Sequence, residues 1–470
     1  MTLGRGRIGR RAVLEGGGAA ALGALVGCSG SAAQRYGEAS ASPFPADPQG
    51  TLELPEGFTY QVLTRTGDPM HDGYRTPGRP DAMGCFPGAD GSLVLMRNHE
   101  VFRGDVARSP YFPQQAPPPE AFDLEGTGGV TRLVLDPETL AVRSSNLVLA
   151  GTFWNCAGGI SPWGWLSCEE TDDPGHGYVF LCATDAERVR PPQRIPTYGR
   201  MRHEAATVDP TTLIAYLTED QSNACFYRFV PTDPAQPFTG KLQALRVPAQ
   251  PTFDTGLLRA GERLEIDWVD LDHPASEADD LRVQAQSRGA AVFRRTEGMW
   301  LTGDQLFLTA TIGGRLQRGQ ILRVSTGAPG AIDLVAEVTD PDALDMPDNL
   351  CVSPDGLLYV AEDGLGGNFL RRVRLDGTIA PFARNALGAG EMAGPCFSPD
   401  GGTLFVNLQE EGVTLAVRGP FDQELASERA LASQPTDPRI EWDRGARGLG
   451  AGLAVLAMAA LARRRRTRAP

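Results

Sequence analysis

One local pattern recurs along most of the 470-residue chain: a Gly/Asp/Pro turn, four or five apolar or aromatic residues, then polar or acidic residues. Six segments follow it: DGSLVLMRNHE (90–100), WGWLSCEE (163–170), TTLIAYLTED (211–220), GDQLFLTAT (303–311), DGLLYVAED (355–363) and DGGTLFVNLQ (400–409). The last two share a Ser-Pro-Asp-Gly turn, with Ser353 and Ser398 lying 45 residues apart. Repeats of about 40–50 residues are typical of four-stranded propeller blades. The pattern predicts an all-β fold, a six-bladed β-propeller forming one domain with insertions over 51–421.

The acidic ends of these segments are expected to meet. In a propeller the innermost strands line a central channel, so equivalent strand ends converge on its mouth. Here those ends carry Asn98-His99-Glu100, Glu169-Glu170, Glu219-Asp220 and Glu362-Asp363. Carboxylates gathered in one place repel each other unless cations neutralise them. The spacing favours a metal site, with acids in solvated turns as the alternative. The stretch from about 230 to 290 is predicted to be an insertion or a long connection between blades.

Charge is divided unevenly along the chain. The net charge is -14, but the first 27 residues contribute +3 and the last eight +5, which leaves about -22 for the middle. This acidic middle argues against a nucleic-acid partner, because phosphate binding needs clustered Lys/Arg. Lys241 is the single lysine, so lysine Schiff-base or P-loop chemistry has almost nowhere to sit.

The N-terminus is typical of an export signal. Paired Arg10-Arg11 precede an apolar, Gly/Ala-rich run, and the pair resembles a twin-arginine signal. The sequence Leu-Val-Gly-Cys (25–28) resembles a lipobox, which predicts a lipid-modified Cys28. The alternative is an ordinary signal peptide, with Cys28 as a chance residue. The predicted boundaries are 1–27 for the signal and 28–50 for a linker.

The C-terminus resembles a membrane-directed segment. A predicted linker over 422–447 precedes an uncharged run of 15 residues (448–462), which Arg463–Arg466 follow. About 20 apolar residues are needed to span a bilayer, so the run is marginal. The positive-inside rule would keep the arginines in the cytoplasm and the body outside. Over 448–470 we therefore expect a cleaved sorting signal or a tail anchor, and a periplasmic or surface protein that is membrane-tethered there or through Cys28.

Cys156 is the cysteine most suited to a chemical role. Seven cysteines remain once Cys28 is set aside, and an odd number cannot all pair within one chain. Cys156 lies in Trp-Asn-Cys-Ala-Gly-Gly (154–159); a thiolate binds soft or borderline metals, and the glycines let the backbone approach closely. The alternative is a small core residue. Cys168 and Cys182 fit that description better, or form a disulfide.

Two segments place an arginine beside a carboxylate. They are Arg202-His203-Glu204 and Arg295-Thr296-Glu297. Near a metal the acid would bind the cation and the guanidinium would hold an oxyanion, whereas elsewhere such neighbours are solvated pairs. The five histidines are too scattered for a zinc hydrolase. Carboxylate oxygens favour hard cations, so calcium, magnesium or ferric iron fit better than zinc.

Eight longer motifs run in order along nearly all of 51–421. They are NHE (98–100), GGVTRLVLD (128–136), WNCAGGISPWGWLSCEE (154–170), GRMRHEAATVDP (199–210), AYLTED (215–220), RRTEGMW (294–300), DNLCVSPDG (348–356) and EMAGPCFSPDGGTLFVN (391–407). Together they resemble the PhoX family of bacterial alkaline phosphatases. The resemblance implies a six-bladed propeller exported by the twin-arginine route. It also implies hydrolysis of phosphate monoesters at a centre of ferric (Fe3+) and calcium (Ca2+) ions bridged by an oxo group. We expect a monomer.

The resemblance also implies roles for single residues. Cys156 would be a thiolate shared by the iron ions, Glu204 and Glu297 iron ligands, and Glu100 a ligand on the calcium side. Arg295 would hold the phosphate, and Arg295, Cys156 and Glu297 are the predicted catalytic residues. The second predicted substrate-binding residue is Asn98. Further metal ligands, not assigned to one ion, are Glu169, Glu170, Glu219, Asp348, Glu362 and Glu391.

Two other functions stay open at this point. One is a propeller lactonase or oxidoreductase with a single calcium ion, which would have no use for the Cys156 thiolate. The other is a non-catalytic, surface-tethered propeller that binds a partner. One departure from the family concerns the substrate range: members usually follow Asn-x-Gln of the last blade with His-Pro-Gly, whereas here Gln409 precedes Glu410-Glu411-Gly412.

Overall fold

The computed structural model describes residues 42–364 and 366–421. The predicted twin-arginine segment, the lipid-modified Cys28 and the C-terminal apolar run lie outside these residues and stay predictions. Within the described part, no helix is long and apolar enough to cross a membrane.

Nearly all regular structure is β-strand. The first half of the chain contains β1 (Leu52–Glu53), β2 (Thr59–Arg65), β3 (Pro80–Pro87), β4 (Leu93–His99), β5 (Gly128–Leu135), β6 (Val142–Thr152), β7 (Asn155–Ser161), β8 (Gly164–Glu169), β9 (Val179–Cys182), β10 (Gln193–Arg194), β11 (His203–Val208), β12 (Ala215–Glu219) and β13 (Tyr227–Pro231). The second half contains β14 (Gly240–Arg246), β15 (Arg263–Asp270), β16 (Thr296–Thr302), β17 (Gln305–Ala310), β18 (Gln320–Ser325), β19 (Gly330–Glu337), β20 (Pro347–Val352), β21 (Leu358–Glu362), β22 (Phe369–Val373), β23 (Ile379–Asn385), β24 (Met392–Phe397), β25 (Leu404–Leu408) and β26 (Val413–Arg418). One short helix, α1 (Leu281–Ser287), and two 3-10 turns (Pro196–Tyr198 and Thr255–Leu257) complete the list.

The strands form five antiparallel sheets around a closed ring. Four sheets have the orders β3-β4-β5-β6, β10-β9-β8-β7, β1-β23-β22-β21-β20 and β2-β26-β25-β24, and a nine-stranded sheet runs β11-β12-β13-β14-β15-β19-β18-β17-β16. Six strands lie at the inner edges of these sheets: β3, β7, β20 and β24 at one edge each, and β11 and β16 at the two edges of the nine-stranded sheet. Each packs against the next in chain order, and β24 packs against β3. The all-β, propeller-like prediction is therefore confirmed.

The ring is closed by strands from the two ends of the described chain. Strand β2 pairs antiparallel with β26, from Thr59 opposite Arg418 to Arg65 opposite Val413. An N-terminal strand thus completes the last sheet, which leaves its neighbour less exposed as an edge. Buried apolar side chains fill the space between sheets; Leu52, Phe382 and Leu404 belong to one such cluster.

The two Ser-Pro-Asp-Gly repeats form equivalent turns. Ser353 connects β20 to β21, and Ser398 connects β24 to β25. Gly356 and Gly401 have φ values of 88° and 75°, which L side chains rarely adopt. In both turns the serine hydroxyl accepts a hydrogen bond at 3.0 Å from the backbone N–H of the residue just before the next strand, Leu357 or Thr403. The 45-residue spacing read from the sequence is therefore one structural repeat.

The nine-stranded sheet is a departure from six separate sheets. The predicted insertion begins later than expected, because β14 is a regular fourth strand next to β13. Strand β15 lies in the insertion and pairs with β14 on one side and β19 on the other. It thereby fuses two groups of four strands, β11–β14 and β16–β19, into one sheet. No local pattern distinguishes such a bridging strand from an ordinary blade strand.

All seven cysteines of the described part are free thiols. Cys168 and Cys182 do not form the disulfide considered above. They lie on neighbouring strands but out of register, since Cys168 is opposite Val179 and Cys182 is opposite Trp165. Both are buried, so the alternative of small core residues holds. Cys156 is the one that is only half-buried.

Candidate metal centre

Five innermost strands place a potential ligand at their second residue. These residues are Asp81 in β3, Cys156 in β7, Glu204 in β11, Glu297 in β16 and Asp348 in β20. At each one, the pairing with the next strand slips by one residue, so that the potential ligand lies within the bulge. Such a bulge bends the strand and re-aims a side chain. In β24 the bulge position holds Gly394, and Glu391 comes instead from the loop just before the strand.

A second set of acids follows the second strand of four units. These residues are Glu100 after β4, Glu170 after β8, Asp220 after β12 and Asp363 after β21. The equivalent position after β25 is occupied by Gln409. The next residue, Glu410, forms an ion pair with Arg79. We call the following ten carboxylates and one thiol the mouth cluster: Asp81, Glu100, Cys156, Glu170, Glu204, Asp220, Glu297, Asp348, Asp363, Glu391 and Glu410.

Three groups within the mouth cluster have the spacing of a metal site. They are Glu100 with Cys156 and Glu170, Glu204 with Glu297 and Asp348, and Asp348 with Asp363 and Glu391. In each group the possible ligand atoms lie within 4.8 Å of one another. Asp348 belongs to two groups, which places two potential cation positions side by side. The donor set is mostly carboxylate oxygen, which suits hard cations, with one thiolate at a single position.

Glu204 shows why this cluster fits cations better than a network of ion pairs. Its side chain is fully buried, and neither carboxylate oxygen has a hydrogen-bond partner in the protein. Asp81 Oδ1 is buried and unpartnered as well. A buried carboxylate without partners is strongly unfavourable unless it is neutralised or bound to a metal. Burial raises the pKa of Glu204 well above its usual range, and the nearby Glu297 and Glu170 carboxylates raise it further.

Three arginines pair with members of the mouth cluster. Arg295 donates to both oxygens of Asp220 (2.8 and 3.0 Å) and to Glu297 Oε1 (2.6 Å). Arg79 donates to Glu100 Oε2 at 3.0 Å, and Arg202 to Glu170 Oε1 at 2.5 Å. Three guanidinium groups cannot balance ten carboxylates. Arg295 keeps 29% of its side chain exposed, so it can also face a ligand at the mouth.

Cys156 has an acid next to its thiol. Its Sγ donates to Asp81 Oδ2 at 3.3 Å. Burial raises the pKa of Cys156 well above its usual value, and the Asp81 and Glu204 carboxylates raise it further. Without a cation the thiol therefore keeps its proton. A bound cation reverses this preference, because a coordinating thiol is deprotonated outright.

Three predicted ligands lie outside the groups named above. Glu169, Glu219 and Glu362 are the last residues of their strands, one position before Glu170, Asp220 and Asp363. Each accepts hydrogen bonds from protein donors near its own strand. Glu219 Oε2, for example, accepts from the Tyr227 hydroxyl at 2.7 Å and from the Cys225 N–H at 3.2 Å. We interpret all three as structural residues, while the metal role predicted for them stays untested.

The side-chain amide of Asn98, the predicted substrate contact, is also hydrogen-bonded within the protein. Its Nδ2 donates to the carbonyl oxygen of Cys156 at 3.1 Å, and its Oδ1 accepts from Trp165 Nε1 at 2.8 Å. Asn98 is fully buried. The structure therefore places it where it fixes the backbone of Cys156.

Sequence reasoning missed Asp81, whose segment has no distinctive motif, and did not separate Asp220 and Asp363 from the glutamates before them.

We expect Glu169→Gln to lower stability without removing bound cations. Glu169 Oε1 accepts from the Phe153 N–H (3.1 Å) and contacts His176 Nδ1 (2.7 Å), while Oε2 accepts from the Gly177 N–H (3.1 Å). An amide NH2 in place of one oxygen would face a donor, which costs about 1–3 kcal/mol. Urea unfolding and metal analysis measure the two effects.

Glu170→Gln is the matched variant, because it changes the neighbouring residue in the same way. Glu170 lies in the group with Glu100 and Cys156, so this variant should lose bound cation. Loss of cation in Glu169→Gln with full retention in Glu170→Gln would contradict this assignment.

Comparisons with known proteins were made for the sequence and for the fold. The sequence profile of the family described as alkaline phosphatase PhoX matches residues 39–146 and 137–412. No curated protein matches the sequence. Among solved structures, Pseudomonas fluorescens PhoX in complex with vanadate, a transition state analogue, is 21% identical with a TM-score of 0.62, covering 80% of this chain and 97% of its own. This likeness shows the fold. A gluconolactonase from Xanthomonas campestris, 12% identical over 80% of this chain and 99% of its own, has a TM-score of 0.42 and supports no conclusion.

Proposed function

Because the chain belongs to the alkaline phosphatase PhoX family, we propose that it hydrolyses phosphate monoesters with cations held by the mouth cluster. The observation that carries this proposal is Glu204, a fully buried carboxylate without a protein partner among further acids. Small phosphate esters are the substrate class that the family implies. The acidic body of the chain needs such cations before a phosphate, itself anionic, can approach.

We propose Fe3+ and Ca2+ as the cations. The group of Glu100, Cys156 and Glu170 combines one sulfur with two carboxylates, which suits iron better than a calcium ion alone. The groups around Asp348 contain only carboxylates, which suit calcium or ferric iron. When bound, such cations polarise phosphoryl oxygens and offset the charge of the transition state. A lactonase with one calcium ion would leave the thiol at Cys156 without a purpose.

The protein's own residues would position the phosphate and move one proton. Arg295, at the exposed edge of the mouth cluster, can donate two parallel hydrogen bonds to non-bridging phosphate oxygens. Asp220, which accepts from Nε and from one terminal nitrogen of Arg295, would hold the guanidinium in place through Nε. Asp81 Oδ2 is the nearest acceptor for the Cys156 proton when the thiol becomes a ligand. Burial raises the pKa of Asp81 to about 6, although the Cys156 thiol and Arg79 partly oppose the shift.

We further propose that the fold is a six-bladed propeller. On this interpretation the nine-stranded sheet counts as two blades, β11–β14 and β16–β19, joined edge to edge by β15. Six innermost strands then supply the channel wall, one from each blade. The same interpretation supports a site at one end of the channel, since five of those strands carry a member of the mouth cluster at their second residue.

Chelation tests the proposed function. We expect purified protein to hydrolyse p-nitrophenyl phosphate at alkaline pH, to lose at least about 100-fold of this activity after EDTA treatment, and to regain it with Fe3+ and Ca2+ together. Metal analysis of the untreated protein should find both elements. Activity that survives complete removal of metal would refute the proposal, and so would its absence from iron- and calcium-loaded protein.

A further inference from the structure

The channel contains a second site candidate behind the mouth cluster. A cavity of about 590 Å³ lies between the innermost strands, and all six contribute to its wall. Its inner end is formed by the residues that directly follow five members of the mouth cluster. These residues are small or neutral: Ala82, Ala157, Ala205, Gly298 and Asn349. Short side chains at this level leave the channel open below the acids.

The wall of this cavity becomes more apolar toward its outer end. Met299, Trp300 and Leu301 line it along β16, and Ile160 lines it from β7. Ile160 keeps 39% of its surface exposed, which is unusual for a large apolar side chain on an innermost strand. Thr302 and its neighbours at the ends of the strands are exposed, so the cavity opens on the face opposite the mouth cluster.

The cavity is close to electrically neutral. Asp209 is the charged residue among those that line it. Its carboxylate accepts from the Thr211 N–H at 2.8 Å and from the Thr212 hydroxyl at 2.7 Å, so it is used within its own turn. An ion entering apolar walls would lose its hydration without gaining a partner. A charged ligand is therefore disfavoured here, in contrast to the mouth cluster at the other end.

The dimensions limit the occupant to a small molecule. Gly298 and Thr302 both line the cavity, and four strand steps of about 3.3 Å make it about 13 Å deep. A cavity of this volume and depth matches a drug-sized ring compound.

We propose that this cavity binds an uncharged, mostly apolar small molecule, such as an aromatic or fused-ring compound, which enters from the face opposite the mouth cluster. Volumes of about 300–1,000 Å³ with apolar walls and a few polar groups are typical of small-molecule sites. Thr207 supplies a hydroxyl to the wall, and Asn349 supplies an amide that is already hydrogen-bonded to Asp348 Oδ1 and to the Gly394 N–H, both at 2.7 Å. The proposal does not rest on phosphatase activity.

Fluorescence titration of the full-length protein with N-phenyl-1-naphthylamine, a neutral apolar probe, tests the proposal. We expect saturable binding of one probe per chain. Thr207→Phe fills the wall from β11 and should weaken binding at least tenfold, because the new ring occupies probe volume. Met299→Trp fills it from β16 and should act in the same way. Thr59→Phe is the matched control, since Thr59 is exposed on β2, away from the cavity, and its replacement should leave binding unchanged.

Several outcomes would overturn the proposal. One is the absence of saturable binding to folded wild-type protein. Another is equal binding by wild type and both cavity variants, which would locate the probe elsewhere, for instance on the apolar end segments. Near-UV circular dichroism identifies a variant that has lost its fold, and the second variant then decides. None of these outcomes bears on hydrolysis of phosphate esters, so the two proposals fail separately.

Discussion

Glu204→Gln is expected to remove cation binding and to lower phosphomonoester hydrolysis by about 10³-fold or more, equivalent to about 4 kcal/mol of transition-state stabilisation. The reason is that both Glu204 oxygens are buried and have no protein partner, so a cation is the partner that suits them. An amide carries no charge and offers one oxygen, so it cannot replace a carboxylate ligand. Metal analysis and kcat/KM for p-nitrophenyl phosphate measure the two effects.

The same variant should not destabilise the cation-free protein. Removing a buried ionisable group that lacks partners removes an unfavourable interaction. We therefore expect its free energy of unfolding in EDTA to equal or exceed that of wild type. Glu265→Gln is the control, because Glu265 is exposed on β15 and should change neither property. A Glu204→Gln protein with full metal content and full activity would rule out Glu204 as a ligand.

Stability of the cation-free protein is expected to fall as the pH rises from 6.5 to 8. Burial raises the pKa of Glu100 to about 8 from an ordinary value of 4.5, and it raises the pKa values of Glu204 and Glu297 well above 4.5. The folded state thus keeps protons that the unfolded state has released. The stability from such groups is complete below pH 4.5 and is lost as the pH rises through the folded-state pKa.

The lower limit of this pH window is set by histidines. Burial lowers the pKa of His99 well below 6.5 and that of His203 to about 4, so these groups add stability as the pH rises toward 6.5. Above that value the carboxylates dominate. One retained proton is worth about 1.4 kcal/mol per pH unit, so the free energy of unfolding should fall by about 2 kcal/mol or more.

Cations should abolish or reverse this pH dependence. A bound metal replaces the protons of the mouth cluster, and its affinity rises as the carboxylates and Cys156 deprotonate. Urea unfolding at pH 6.5, 7.2 and 8, in EDTA and after reloading with Fe3+ and Ca2+, makes the comparison. Constant or rising stability across this window in EDTA would show that the mouth cluster does not hold the expected protons.

Much of the candidate site follows from local sequence. Cys156, Glu204 and Glu297 were predicted from short motifs, and the structure places all three at the second residue of an innermost strand. Glu100 and Glu170 were predicted from the ends of apolar segments, and they lie in one group with Cys156. Whether these residues hold metal stays a prediction. Asp81 could not be found in this way, because its segment lacks the acidic strand end that marks the others.

The repeating strands and turns, the acidic strand ends and the family can all be predicted from local sequence. Apolar runs, turn glycines and their spacing are local properties of the sequence that do not depend on tertiary contacts. In contrast, tertiary packing determines which member of each acidic pair belongs to the mouth cluster. Glu169 and Glu170 are identical as residues, but neighbours in an extended chain point to opposite sides. The Glu169 side chain is hydrogen-bonded within the protein and the Glu170 side chain lies in the mouth cluster, and this difference depends on how the strand packs against its neighbours. The joining of two groups of four strands by β15 also depends on tertiary contacts, because the paired strands lie far apart in sequence.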